Sequence, residues 1–209
     1  MIMEENENNI ITDIDNNEYN TVVIGKQTWI KENLNVTRYR NGDIIPEVRD
    51  YNEWSKLTTG AWCYYDNKPG SYQLYNWYAV NDSRGLAPLG WHIPCDDEWE
   101  DLVQFLGGSD VAGQKMKGGE LDFCFWIDNN NEKSNSSGFT GVASGIRYED
   151  GDFDFKFEVG HFWSTSENEL IDNNIITAYG RALFGTSEKA FLSSKKINCG
   201  LAIRCVKDQ

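Results

Sequence analysis

The chain has 209 residues, 40% hydrophobic and 25% charged, and its aromatic fraction of 13% includes 8 Trp, 10 Tyr and 10 Phe. A disordered chain carries far fewer aromatics, so a packed core is expected. Asp and Glu total 33 against 19 Lys and Arg, a net charge of −14, which repels phosphate backbones and makes nucleic acid an unexpected partner. No apolar run reaches the ~18 residues of a membrane helix, so no membrane insertion is expected.

Residues 1–19 read as an acidic arm, either flexible or a docking strand. Up to residue 18 it holds six acids (Glu4, Glu5, Glu7, Asp13, Asp15, Glu18), no base and five asparagines, too little apolar area to offset the entropy of ordering. Its start, MIMEENENN, has neither a basic n-region nor an apolar h-region, so no secretory signal is expected. Residues 20–209 show no linker and no repeat, and read as one domain.

Within it, Thr21–Ile24 and Gln27–Ile30 flank Gly25 as a hairpin. Tyr51-Asn52-Glu53-Trp54 reads as an aromatic–polar loop. Ala61–Tyr65 is a strand closed by the turn signal Asp66-Asn67-Lys68-Pro69-Gly70, and Leu74–Val80 is a buried short helix or strand. The clearest helix follows Pro94. Asp96 is its expected N-cap, and Asp97, Glu98, Glu100 and Asp101 crowd the positive end of the macrodipole. Trp99, Leu102, Val103 and Leu106 bury one face before Gly107-Gly108 stop it. A second helix is expected over Val111–Lys117 and a polar loop over 128–137. Phe153, Phe155 and Phe157 alternate with charged residues as a strand with one greasy face. Further strands are expected at Phe162–Thr165, 175–184 and Leu201–Val206, which makes an α+β domain.

Chemistry-bearing patterns are sparse. The histidines are His92 and His161, with no HExxH and no metal-binding His pair; His92, in Gly-Trp-His-Ile-Pro, reads as a structural imidazole bonded to backbone. Asp150, Asp152 and Asp154 are spaced like the start of a calcium loop, but Phe155 and His161 stand where an EF-hand needs Gly and Glu. No metal or cofactor is expected beyond a loose, weak Ca²⁺ site. Cys63, Cys95, Cys124, Cys199 and Cys205 are odd in number with no CxxC pair, which argues against a zinc ribbon and a fully paired disulfide scaffold. No GxSxG, GxxxxGK[ST] or strand-following GxGxxG occurs.

A series of motifs carries a resemblance. Ile24–Asn35 (IGKQTWIKENLN), Leu74–Val80 (LYNWYAV), Ala87–Pro94 (APLGWHIP), Asp97-Glu98-Trp99, Gly160–Glu167 (GHFWSTSE), Ala178-Tyr179 and Gly200–Asp208 (GLAIRCVKD) resemble, in order, the Fibrobacter succinogenes major paralogous domain family over roughly residues 20–208. The resemblance implies a C-type-lectin-like fold, related to formylglycine-generating enzymes and to variable proteins of diversity-generating retroelements. Two helices would flank small twisted antiparallel sheets, the termini would pair, and long loops would build a binding face. Members are mostly surface-associated proteins of Bacteroidetes and Fibrobacteres, with related domains in phage structural proteins, and no catalytic residues carry over. Trp29, Trp77, Trp91, Trp99 and Trp163 read as buried anchors. Arg204 is expected to pair with a buried or half-buried acid. Cys63 and Cys205 match cysteines common in the family, and the resemblance allows a disulfide between them. The EPN, QPD and WND tripeptides of calcium-dependent lectins are missing, so lectin activity does not follow from the fold.

The expected function is a non-enzymatic binding or display module recognising a surface glycan or protein receptor, in a phage virion or on a bacterial cell surface, with the arm engaging other virion or surface proteins. Tyr51, Trp54, Asn129, Asn130 and Tyr148 are the expected ligand-binding residues. The alternatives are a purely structural assembly subunit and a formylglycine-generating-type cysteine oxidase, the latter requiring Cys199 and Cys205 to be exposed and reactive.

Overall fold

In a computed structural model, which describes residues 10–118, 126, 134–168 and 176–209, the chain is a mixed α+β protein dominated by short strands. Residues 10–19, assigned to the arm by composition, form a hairpin of β1 (Ile11–Thr12) and β2 (Glu18–Tyr19). Its acids act as turn acceptors. The Asp13 carboxylate accepts from the N–H groups of Asp15 and Asn17 and from the Tyr19 hydroxyl at 2.6 Å, and Asp15 accepts from the Thr37 N–H at 2.6 Å. These bonds supply the ordering energy that composition alone does not count.

Strands β3 (Thr21–Ile24) and β4 (Gln27–Ile30) form the expected hairpin, with Gly25 at a φ of 63° in its turn. Tyr51–Trp54, expected as a loop, is a single helical turn, α1, capped by the Asp50 carboxylate on the Glu53 N–H at 2.9 Å. β5 (Trp62–Tyr64) leads through a 3-10 turn (Tyr65–Asn67) to its partner β6 (Gln73–Tyr75), and α2 (Trp77–Val80) follows at once. Leu74–Val80 is thus strand and then helix. The switch is made by the fully buried Asn76, whose Oδ1 accepts from Ala61 and Ala79 and whose Nδ2 donates to the Thr59 carbonyl. Asn76→Ala leaves the buried Ala61 N–H without its acceptor and removes the side-chain bonds to Ala79 and Thr59, and is expected to cost about 2 kcal/mol. Chemical denaturation checks this, and a cost below about 0.5 kcal/mol would show that water replaces the amide.

After β7 (Trp91–His92), α3 (Asp96–Phe105) starts one residue earlier than an N-cap at Asp96 would place it. Cys95 is the N-cap, and its N–H donates to the Glu98 carboxylate at 2.9 Å. Trp99, Leu102, Val103 and Leu106 are buried, and Gly107 and Gly108, both at positive φ, turn the chain into α4 (Ser109–Met116). β8 (Ser144–Arg147), β9 (Phe153–Lys156), β10 (Val159–Asn168), β11 (Thr177–Phe184) and β12 (Ala190–Lys196) form a sheet in the order β12–β11–β10–β8–β9, with β8 parallel to β10. Positive φ at Phe155 and Phe157 breaks the expected alternation of β9. The last strand, β13 (Val206–Lys207), lies between β4 and β7, giving the order β3–β4–β13–β7.

The segment before β13 was expected to be one strand over Leu201–Val206. It is instead a suture. Gly200 bridges to Arg147, Leu201 to Tyr75 and Ala202 to Phe162 before Val206 pairs with both Trp29 and His92. Each residue thus bonds a different sheet or sheet position in turn.

Trp29, Trp99 and Trp163 are fully buried, and Trp77 and Trp91 nearly so. Arg147, Arg181, Arg204 and Lys117 are fully buried too. Three of them serve backbone carbonyls, most of them in irregular segments or at strand ends. Lys117 donates to the carbonyls of Phe184, Gly185 and Ser187. Arg204 does not meet the acid expected of it among the described residues; its described partners are the carbonyls of Ile30, Phe139 and Thr140 and the amide oxygen of Asn33. Arg181 pairs with acids, Asp96 and Glu100 of α3.

The disulfide is not formed. Cys63 and Cys205 are buried free thiols in different apolar clusters, Cys63 with Trp54 and Leu74 and Cys205 with Tyr75 and Trp163.

Candidate functional site

Three segments meet at one end of the five-stranded sheet. The turn between β8 and β9 is tight: the Tyr148 N–H donates to the Asp152 carbonyl at 2.7 Å and the Gly151 N–H to the Tyr148 carbonyl at 3.0 Å. Gly151 sits at a φ of 97°, and a Cβ there would lie 2.8 Å from the Tyr51 Cα, so only glycine lets this turn approach α1. The third segment is the 3-10 turn, where Asp66 has a φ of 56° and the Asn67 amide donates to the Arg49 carbonyl at 2.9 Å.

Arg147 joins two of these walls from below. Its Nε donates to the Gly151 carbonyl at 3.0 Å, and Nη1 and Nη2 donate to the carbonyls of Val48, Arg49 and Asp50 at 2.6, 2.9 and 3.3 Å. The guanidinium carbon lies 4.2 Å from the Trp54 ring centroid, 4.8 Å from that of Phe153 and 5.6 Å from that of Tyr51. A buried cation is tolerated here because carbonyl dipoles and aromatic faces replace its hydration.

Above it opens a cleft of 340 Å³ lined by Tyr51, Asp66, Tyr148, Asp150, Asp152, Phe153 and Asp154. Tyr51 and Phe153 meet edge-on at 6.3 Å, and Tyr51 stays 44% exposed. The Tyr148 hydroxyl is held above its usual pKa by partial burial and by the charge of Asp154. Of the four carboxylates, Asp66 is paired with Lys68. Asp150 and Asp154 each accept one backbone N–H, from Asp152 and Phe155, which leaves acceptor capacity facing the cleft.

The structure brings Tyr51 and Tyr148 together as sequence reasoning grouped them. Trp54 does not join them: it is fully buried under Arg147 and forms part of the floor, so its role as a ligand contact is corrected to a structural one. Asn129 and Asn130 lie outside the described residues. Asp150, Asp152 and Asp154 do share the cleft, but among the described residues no group of three or more His, Cys, Asp or Glu side chains is placed to hold a metal ion. Asp66 and Arg147 were missed. Asp66 was read only as turn chemistry, and the one available signal for Arg147 was a lone base between Ile146 and Tyr148.

Two other hollows are less suited to a ligand. In the 380 Å³ hollow around Asn20, Asn33 and Gln73, several polar groups are engaged with one another, Glu32 accepting from Asn20, Asn33 Oδ1 from Arg204 and Gln73 from Tyr75, while the buried Asn33 Nδ2 has no partner among the described residues. The 370 Å³ hollow beside Ile14 and Leu89 is mostly apolar.

The remaining titratable groups fall into two kinds. Cys199 and Cys205 are buried, and burial pushes both thiols up to about 12, the opposite of the activated pair that a cysteine oxidase needs. His161 is 3% exposed with no hydrogen-bond partner on Nδ1, and burial lowers it to about 3. His92, expected to bond backbone, instead lies between two carboxylates, with Nε2 2.7 Å from Glu98 Oε1 and Nδ1 2.7 Å from Asp208 Oδ1.

Among known proteins, a family model described as the Fibrobacter succinogenes major domain matches residues 22–207. No curated protein and no solved structure matches the chain.

Proposed function

The chain belongs to the Fibrobacter succinogenes major domain family, and on that footing we propose that it is a non-enzymatic binding module on a C-type-lectin-like scaffold. Its recognition site is the cleft between α1 and the β8–β9 turn, and its setting is the surface of a bacterial cell or a virion. The two longer helices, α3 and α4, beside paired sheets, with the early strand β4 next to the last described one, β13, support the scaffold reading.

The observation that carries the function is the convergence of two tyrosines and four aspartates on one open cleft. Of the two ligand classes left open by the sequence, this lining favours a protein. Four carboxylates, one of them already paired, leave negative charge that a lysine or arginine of a partner neutralises, and the tyrosine faces add cation–π attraction. A neutral sugar would donate hydroxyl hydrogen bonds to these carboxylates without neutralising their charge.

A peptide array that includes lysine- and arginine-containing sequences, run beside a glycan array, tests this. Basic peptides are expected to bind, more weakly at high salt. Tyr51→Ala and the double change Asp150→Asn/Asp152→Asn are each expected to weaken binding about tenfold or more. The aspartate changes alter exposed side chains and should leave stability within about 0.5 kcal/mol of the parent. Tyr51→Ala also removes the ring contacts with Phe153 and Arg147, so its fold is checked by circular dichroism beside the binding assay. Binding that ignores these substitutions, or that is confined to neutral glycans, would overturn the protein-ligand reading.

A further inference from the structure

His92 stands at the junction of three elements. It is the last residue of β7, Glu98 lies in the first turn of α3, and Asp208 follows β13. Both ring nitrogens are 2.7 Å from a carboxylate oxygen. An ionised carboxylate is acceptor-only, so both contacts are attractive only when both nitrogens carry hydrogen. The geometry therefore describes an imidazolium.

We propose that His92 is a proton-operated latch between the C-terminal segment and α3: as imidazolium it ties Asp208 and Glu98 together, and loss of one proton releases Asp208. Glu98 is the carboxylate that stays. Its second oxygen accepts from the Cys95 N–H at 2.9 Å, and its side chain is 23% exposed against 55% for Asp208. The single remaining N–H of a neutral ring therefore goes to the better-held and drier partner, and the other nitrogen turns a lone pair towards Asp208.

The charged groups that act on the ring are Glu98 from α3 and Asp208 from the segment after β13, and both raise its affinity for the proton against the opposing effect of partial burial. Arg40 comes to the same strand from the other side, donating to the Trp91 carbonyl at 2.9 Å. Because the folded state holds the proton more tightly than the unfolded chain, the latch is fully closed below the ordinary histidine pKa of 6.5. It is lost as pH rises through the raised folded value. Release acts first on the bond from the Asp208 N–H to the Gly90 carbonyl, 3.0 Å, at the edge of the four-stranded sheet. Val206, paired on both sides, keeps β13 in place.

The test is an NMR pH titration of the full chain, following the His92 ring protons and the amide exchange of Lys207 and Asp208. His92 is expected to titrate above 6.5. Once the intrinsic base dependence of exchange is divided out, protection at Asp208 should fall about threefold over the same midpoint, the size expected of a half-exposed ion pair. Asp208→Asn should lower the His92 midpoint, and His92→Gln should abolish the pH dependence at Asp208 while leaving the rest of the spectrum in place. A His92 midpoint at or below 6.5, or Asp208 protection that is indifferent to that midpoint or equally pH-dependent in His92→Gln, would overturn the latch.

Discussion

Replacing Arg147 with methionine is expected to destabilise the protein by about 3–5 kcal/mol. Methionine keeps the apolar stem but removes the fork that serves the carbonyls of Val48, Arg49, Asp50 and Gly151. The buried Val48 and Gly151 carbonyls then lose this donor, those of Arg49 and Asp50 keep only the bonds from the Asn67 amide and the Trp54 N–H, and Trp54, Phe153 and Tyr51 lose the cation at their faces. For a chain of this length the change corresponds to roughly 6–20 °C in melting temperature. Arg147→Lys should recover only part of it, because one ammonium cannot span two separate walls. Denaturant titration followed by Trp fluorescence reads the effect. Since Arg147 holds α1 against the β8–β9 turn, ligand binding should fall with stability, whereas Asp150→Asn/Asp152→Asn separates the two. A methionine variant within about 1 kcal/mol of the parent would mean that the walls are held by the backbone bonds of the turn alone.

The second large effect is acid lability through His161. Its folded pKa is lowered from 6.5 to about 3 by burial, reinforced by the charge of Lys195, so below pH 6.5 the unfolded chain binds a proton that the folded chain refuses. Stability contributed by the neutral ring is complete above pH 6.5 and is lost as pH falls towards 3. The slope is about 1.4 kcal/mol per pH unit, or about 3 kcal/mol by pH 4. His161→Phe places an apolar ring of similar shape 6.5 Å from Phe184 and should remove this slope while costing little at pH 7. Urea midpoints at pH 7, 5.5 and 4 compare the two proteins. Parallel curves would assign the acid lability elsewhere.

Local order was legible where the signal was local. α3 is announced by acids after Pro94, an apolar stripe and two glycines, and it lies within a residue of where those signs place it. The β3–β4 hairpin follows from Gly25 between two β-rich runs. Tyr51, Tyr148 and the aspartates at 150, 152 and 154 could be singled out as candidates, but their meeting could not. It depends on Arg147, whose bonds to the 48–50 segment span 97 to 99 residues. Trp54 shows the same limit: beside Tyr51, Asn52 and Glu53 it reads as an exposed aromatic, and its burial comes from distant partners, the Arg147 guanidinium over its ring and the apolar cluster with Val48, Cys63 and Leu74. His92 misled for a related reason, since Asp208 reaches it across 116 residues of sequence.

The suture over residues 200–207 has a kinetic and a cooperative consequence. Its bridges tie the five-stranded sheet, the β5–β6 pair and the four-stranded sheet to a single strip of backbone, so no sheet can open far without straining the others, and unfolding should be a single transition. Folding inherits the reverse constraint. The strip must find partners as distant as the Ile30 carbonyl, 174 residues away from Arg204. Closing a loop of that length costs about 4–5 kcal/mol of chain entropy before its contacts repay it. The three sheets are thus expected to wait for one late, slow event, and folding should be correspondingly sluggish for a protein of this size.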